Sequence, residues 1–228
     1  MSNTVELYSF AACPFAQRTR MVLAEKAIDH ERHEIDLYNR PDNWKDISPT
    51  GKVPLLRHKG ATIYESTIIN QYLDESFPER PLMPHTALGR AQARIWMDHC
   101  DHRFLGTMHN LMRQRDHAEK LPDARDKATA ALKELETRGM ENRGDGPYWF
   151  GSQPTLVDFQ YLPFFERMPV YEALCDFQWP AECMKLKDWF AAMCELDSVS
   201  ATLRPVDAHI EQQQRLNERI AAARRGAA

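Results

Sequence analysis

Apolar and polar positions alternate over Val5-Glu6-Leu7-Tyr8-Ser9, which predicts a short strand. A helix is expected from about Pro14, carrying apolar Met21, Val22 and Leu23 and ending in Ala24-Glu25-Lys26-Ala27. His33-Glu34-Ile35-Asp36-Leu37 alternates again and reads as a second strand, followed by a loop over Asn39-Arg40-Pro41-Asp42-Asn43. Val53-Pro54-Leu55-Leu56-Arg57 and Ala61-Thr62-Ile63-Tyr64 form two further strands around a His58-Lys59-Gly60 turn. Ile68, Ile69, Tyr72 and Leu73 then fall at helical spacing, predicting a helix from Ser66 to Phe77. The order βαβ, ββ, α describes a small mixed sheet with helices packed on it.

The pattern changes after Pro78. Pro78-Glu79-Arg80-Pro81-Leu82-Met83-Pro84 has prolines that neither a helix interior nor a central strand tolerates, so it reads as a linker. Everything beyond is helical, over about 86–117, 122–139, 155–168 and 181–195. Thr155-Leu156-Val157-Asp158 opens the third of these as a structural capping box. The tail from about Glu211 to Ala228 is polar and expected to fray. The domains are therefore drawn at 1–79, a linker at 80–87, and an all-α domain at 88–228.

Composition narrows the function classes. With 228 residues, 43% hydrophobic and 27% charged, the chain reads as a soluble globular protein. A net charge of −4 without a basic stripe argues against a nucleic-acid partner. No apolar run approaches the ~20 residues of a membrane helix, and Met1-Ser2-Asn3-Thr4-Val5-Glu6 lacks the features of a secretory signal. A cytoplasmic location is expected. Cys13, Cys100, Cys175, Cys183 and Cys194 are odd in number and irregular in spacing, which fits a reducing compartment better than a disulfide framework. Four of them sit in helical stretches and read as buried, inert thiols.

Cys13 is the exception. In Cys13-Pro14-Phe15-Ala16-Gln17-Arg18 a proline takes the first helical position, so the cysteine sits against the positive end of the helix. A thiol placed there is expected to titrate below the ordinary value and to act as a nucleophile. Ala16 stands where a CxxC motif has its second cysteine, so the second thiol must come from elsewhere. Lys52-Val53-Pro54 is a candidate for a cis peptide that turns the Val53 backbone toward another extended chain. Taken alone it reads as a proline on an edge strand. Glu65-Ser66 lies at a strand-to-helix junction, with Ser66 as expected N-cap of a carboxylate site and Glu65 as partner for an ammonium. Taken alone it reads as a helix cap. Together the three pieces describe a ligand with a backbone, a carboxylate, an amine and a thiol acceptor, and glutathione fits.

At this point the chain resembles the cytosolic glutathione transferases over essentially its whole length. The Cys13–Arg18 run is similar to the active-site run of the omega class and its cysteine-bearing relatives. The resemblance implies a thioredoxin-like N-terminal domain, an all-helical C-terminal domain, usually a homodimer, and glutathione as co-substrate. By position it implies Cys13 as catalytic residue and Phe15 beside the thiol. Val53, before Pro54, would hold the cysteinyl backbone, and Glu65 and Ser66 the γ-glutamyl end. Arg40 or Lys52 would meet the glycyl carboxylate. The implied activity is glutathione-dependent thiol transfer or reduction, of the thiol transferase or dehydroascorbate reductase type, on a small electrophilic or disulfide substrate. The alternative is a classical glutathione-conjugating transferase, in which a Ser or Tyr hydroxyl stabilises the glutathione thiolate. Met21–Lys26, Tyr72–Glu75 and Pro81–Pro84 also resemble stringent starvation protein A, a partner of RNA polymerase whose family lacks the cysteine at the first helix start. Asp98 and His102 lie one helical turn apart, but one helix supplies too few ligands for zinc, and no metal is expected. Trp96, Trp149, Trp179 and Trp189 are assigned to the core.

Overall fold

A computed structural model describes residues 4–226. Its N-terminal part runs β1 (Val5–Ser9), α1 (Pro14–Glu25), β2 (His30–Glu34), α2 (Trp44–Ile47), β3 (Leu55–His58), β4 (Ala61–Tyr64) and α3 (Ser66–Ser76). The sheet order is β2-β1-β3-β4, with β2 parallel to β1 and the other pairs antiparallel. This is the thioredoxin-like βαβ-ββα arrangement. The second strand pairs three residues earlier than the alternation suggested, with His30 opposite Val5 and Glu34 opposite Ser9. An edge strand exposes one side and both faces here are largely wet, so His-Glu-Arg-His-Glu needs no apolar alternation. The third strand starts at Leu55 because Pro54 has no N–H to give the ladder.

Beyond the linker the chain is helical. It runs α4 (Ala87–His99), a π-helical turn (Cys100–Phe104), α5 (Leu105–Gln114), α6 (Leu121–Thr137), a 3-10 turn (Gly139–Arg143), α7 (Leu156–Phe165), α8 (Met168–Cys175), α9 (Met184–Cys194), α10 (Asp197–Ser200) and α11 (Val206–Gly226). The single helix expected over 86–117 is thus two helices joined through the π turn. Helices α8 and α10 were not anticipated. The tail expected to fray is helical as far as Gly226, while its last two residues lie outside the described part. Its start is pinned, because His209 is buried and bonds Glu166 at 2.8 Å.

One apolar core runs through both halves. Leu7, Met21, Leu23 and Ile69 of the sheet layer join Phe104, Leu156, Phe165 and Trp189 of the helical layer. Trp149 and Trp189 are fully buried, and Trp96 and Trp179 pack against the same cluster, as their assignment to the core required. The linker is held by buried Lys26, whose Nζ pairs with Asp74 at 2.9 Å while Asp74 also accepts the Leu82 N–H at 2.7 Å.

Asp158 organises the start of α7. Its Oδ2 accepts the Thr155 N–H at 2.6 Å and the Thr155 hydroxyl at 2.8 Å, completing the capping box. Its Oδ1 accepts the Trp149 N–H and the Trp189 indole N–H, both at 2.8 Å. Burial pushes the Asp158 carboxyl up, and these four donors pull it back. Removing the carboxylate strands buried donors. Asp158→Ala should therefore cost about 3–5 kcal/mol in urea unfolding, whereas a loss below about 1 kcal/mol would show the carboxylate to be dispensable.

Candidate functional site

Cys13 is the N-cap of α1, with Pro14 at the first helical position. Its N–H bonds the Phe10 carbonyl at 2.9 Å, and its carbonyl receives the Gln17 N–H at 3.0 Å. The loop is therefore a closed turn that hands the sulfur to the helix start. The Val53–Pro54 peptide is cis, and the Val53 carbonyl lies 3.9 Å from the Cys13 sulfur. The peptide is thus cis, as the Lys52-Val53-Pro54 run suggested, and it brings the Val53 carbonyl to the sulfur.

The electrostatics reverse one expectation. Burial pushes the Cys13 thiol up from its ordinary value. The amides of Ala16 and Phe15 and the charges of Arg167 and Arg20 pull it down, but burial outweighs them. A helix start lowers a thiol only in proportion to what desolvation leaves over. The resting side chain is a thiol with thiolate-stabilising groups already aimed at it.

The second part of the site is the start of α3. Glu65, not Ser66, holds the N-cap position, with φ 67 and no side-chain cap bond. Ser66 is the first helical residue and is buried, its Oγ accepting a hydrogen bond from Arg18 Nη1 at 3.2 Å. The expected serine cap gives way because the Arg18 guanidinium claims that oxygen. Since Ser66 accepts from Arg18, its own O–H is left to donate.

A cleft of about 730 Å³ takes Phe15, Glu65 and Ser66 from the sheet domain and Met97, Leu105 and His109 from the helical domain. Phe15 packs edge-on to Phe164 with centroids 5.7 Å apart, and the Arg18 guanidinium sits 5.0 Å above Phe15. Arg40 and Lys52 are exposed and lie outside the cleft lining. Asp98 and His102 form an exposed pair at 3.0 Å on the cleft wall, and among the described residues no three metal-type side chains cluster.

Several residues at the site carry no signal in the sequence. Arg18 Nη2 pairs with Asp101 Oδ1 at 2.9 Å, and Asp101 Oδ2 accepts from the Thr67 hydroxyl at 2.9 Å and from Gln160 Nε2 at 2.9 Å. Beyond the end of α7, Arg167 reaches the Ala12 carbonyl of the Cys13 loop and Glu166 accepts from Gln17 on α1. Gln17 sits inside the cysteine motif, and its unexplained polarity on a buried helix face was the available clue.

A thioredoxin-like domain with a cysteine at its first helix start, closed by an all-helical domain, is the plan of a glutathione-handling transferase. The comparisons agree. The family model for the glutathione S-transferase N-terminal domain matches residues 7–81, and that for the C-terminal domain matches residues 91–192. The chain belongs to the glutathione S-transferase family. Glutathione S-transferase omega-1 of Mus musculus is 35% identical over 194 residues, covering 83% of this chain and 76% of the relative. Glutathione S-transferase 3 of Glycine max is 32% identical over 205 residues, covering 89% and 91%. A rice glutathione S-transferase solved in complex with glutathione superposes with a TM-score of 0.82 at 28% identity, over 96% of this chain and 99% of the other.

The thiols also make alkaline stability predictable. Burial pushes Cys100 up to about 12 and Cys175 and Cys183 up to about 11. In the unfolded chain these thiols ionise above about 8.5. Between those limits the unfolded state binds fewer protons than the folded one, so stability falls as pH rises. The urea midpoint should drop from pH 8 to pH 10, and a flat or rising midpoint would contradict the burial. Alkylation of Cys13, followed on its own peptide by mass spectrometry, should have its midpoint above that of free cysteine.

Proposed function

We propose that the protein is an omega-like, glutathione-dependent thiol transferase that uses Cys13 as nucleophile and glutathione as co-substrate. The observation that carries this reading is the setting of the Cys13 sulfur, at the start of α1, beside the Val53 carbonyl, and faced by the Phe15 and Ala16 amides. A hydroxyl in that position would hydrogen-bond a glutathione thiolate, whereas a cysteine sulfur can also exchange into a glutathionyl disulfide.

The residues fit glutathione chemically. The Ser66 hydroxyl and the start of α3 offer donors to the γ-glutamyl carboxylate, and exposed Glu65 offers a partner to its ammonium. The Val53 backbone would hold the cysteinyl segment, with Phe15 as the wall beside its sulfur and Pro54 fixing the turn. Arg40 and Lys52 are the candidate cations for the glycyl carboxylate.

In the first step the Cys13 thiolate attacks the glutathionyl sulfur of a mixed disulfide. The Cys13–glutathione disulfide forms, and the substrate thiol leaves with the electron pair and takes a proton from solvent. In the second step a glutathione thiolate attacks that disulfide. Glutathione disulfide departs, and the Cys13 thiolate is restored. One free glutathione thiol is consumed per cycle, while the glutathionyl group of the mixed disulfide stays at the disulfide level and departs in glutathione disulfide.

Among the described residues no helix is long and apolar enough to cross a membrane, which is compatible with the proposed cytoplasmic site of action. The proposed assembly is a homodimer. Tyr64, Ile68, Leu88 and Ile95 are exposed by 43%, 54%, 70% and 64%, on β4, α3 and α4. Such an apolar set is costly on a monomer surface. Sedimentation should give twice the monomer mass, and Ile95→Glu should reduce it to one. A wild-type monomer would remove this part of the proposal.

Cys13→Ser should abolish glutathione-dependent reduction of a small mixed disulfide while folding survives, since serine is nearly isosteric and caps helices well. Ser66→Ala should weaken glutathione binding by about 1–3 kcal/mol by calorimetry. Full reductase activity in Cys13→Ser would refute the mechanism. Absence of turnover in the wild type, together with co-purification of RNA polymerase, would favour the stringent starvation protein A reading.

A further inference from the structure

The loop that carries Cys13 is held by two guanidiniums from different domains, the buried Arg20 and the half-buried Arg167. Arg20, on α1, donates to the Phe10 carbonyl at 3.2 Å, the Ala11 carbonyl at 3.0 Å and Ser9 Oγ at 2.9 Å. Arg167, in the turn between α7 and α8, donates to the Ala12 carbonyl at 3.3 Å and to Gln17 Oε1 at 3.1 Å, and also bonds Pro163 O. Three consecutive carbonyls before the cysteine therefore point at positive charge. Backbone held this way cannot carry Cys13 away from the helix start without breaking charge-assisted bonds.

The charges around this bracket carry a positive excess. Facing the sulfur are the Phe15 and Ala16 amides, Arg167 and Arg20, with the Val53 carbonyl at 3.9 Å. Arg20 is faced by Glu34, Arg32, Glu166 and Cys13. Arg167 is faced by Glu166, Cys13, Arg204 and Tyr171. Glu166 accepts from His209 Nε2 at 2.8 Å, the Arg204 N–H at 2.7 Å and Gln17 Nε2 at 2.5 Å, so its charge is shared among many donors. Glu34 and Glu166 thus stand against Arg20, Arg32, Arg167 and Arg204. Burial lowers Arg167 to about 10, which still leaves it charged at neutral pH.

We propose that Arg167 is a positioning residue for Cys13, delivered by the helical domain. It fixes the Ala12 carbonyl and, with Arg20, supplies the positive charge against which the thiolate forms. The proposal rests on Cys13 being the reacting thiol. Gln17 is the joint of the device, its amide giving to Glu166 and accepting from Arg167, so the cysteine motif is read by the Glu166-Arg167 pair across the domain seam. The released proton goes to solvent, and the thiolate offsets part of the positive excess of the cluster. Thiolate formation is thereby tied to docking of the helical domain.

The test is the pH dependence of Cys13 alkylation by iodoacetamide, which needs no glutathione. Arg167→Gln should move the midpoint up and slow alkylation at pH 7 by about three- to tenfold, as expected for loss of one nearby, partly screened cation. Glu166→Gln should move the midpoint down, because it removes the carboxylate that offsets Arg167. Opposite shifts support a charge role. Superposition of Arg167→Gln on the wild type, or upward shifts in both variants, would overturn it, the latter indicating loss of loop order alone. If Arg167→Gln does not fold, Glu166→Gln decides: a fall supports the proposal, and no change or a rise rejects it. Should Cys13→Ser retain reductase activity while these shifts appear, the functional reading fails and the placement of Arg167 stands.

Discussion

Arg18 has no exposed surface, and a lone cation in that position would face a desolvation cost on the order of 20 kcal/mol before compensation. The surrounding structure is arranged to provide that compensation. Nε donates to the Gln160 carbonyl at 2.9 Å, Nη1 to Ser66, and Nη2 pairs with Asp101, with Cys100 Sγ at 3.4 Å. The Phe15 and Phe164 rings lie 5.0 and 4.8 Å from the guanidinium carbon. Its partners come from α3, the π turn and α7, so meeting one charge fastens three elements to α1. The same geometry sets the hydroxyl of Ser66 and the ring of Phe15, which border the cleft.

The π turn follows from that constraint. An extra residue in a helical turn rotates the side chains beyond it. Here Cys100 and Phe104 face the core, while Asp101 reaches Arg18 with one oxygen and Thr67 and Gln160 with the other. A continuous helix over the same residues would present a different face to α1. The break in the long helix is therefore the local cost of neutralising Arg18, and it falls on the cleft wall.

Sequence patterns exposed the elements that bury a stripe or obey turn chemistry. The β1 alternation, the Pro14 helix start, the capping box at Thr155–Asp158 and the proline linker all follow local rules, and all appear as read. The edge strand at His30–Glu34 was displaced because polar residues carry no periodic signal where both faces are wet. Helix α11 was missed for a related reason, since its anchors, among them the buried His209–Glu166 contact and Arg219 over the Tyr38 ring, join residues distant in sequence. At the site, the Cys13 helix start, the cis peptide between Val53 and Pro54 and the strand-to-helix junction at Glu65-Ser66 have local signatures, whereas Phe15 entered only through the family resemblance. Arg167, Glu166 and Asp101 have no such signature, because their roles exist only across the domain seam. The sign of the Cys13 shift was misjudged for the same reason: the helix start is visible in sequence, and the burial that outweighs it is not.

That burial bears on the proposed thiol transfer. A thiol that titrates high offers less thiolate at neutral pH, but each thiolate is a stronger nucleophile, so the two effects partly cancel in the attacking step. They do not cancel when Cys13 leaves. A leaving thiol of high basicity departs slowly, and the mixed disulfide with glutathione would persist if the sulfur were merely buried. The Phe15 and Ala16 amides and the Arg20 and Arg167 charges act at that moment, since the negative charge grows on the sulfur they already face. Preorganised donors of this kind need no solvent to rearrange as the bond breaks. In the proposed cycle, release of the enzyme thiol would therefore draw on the charges contributed from both domains.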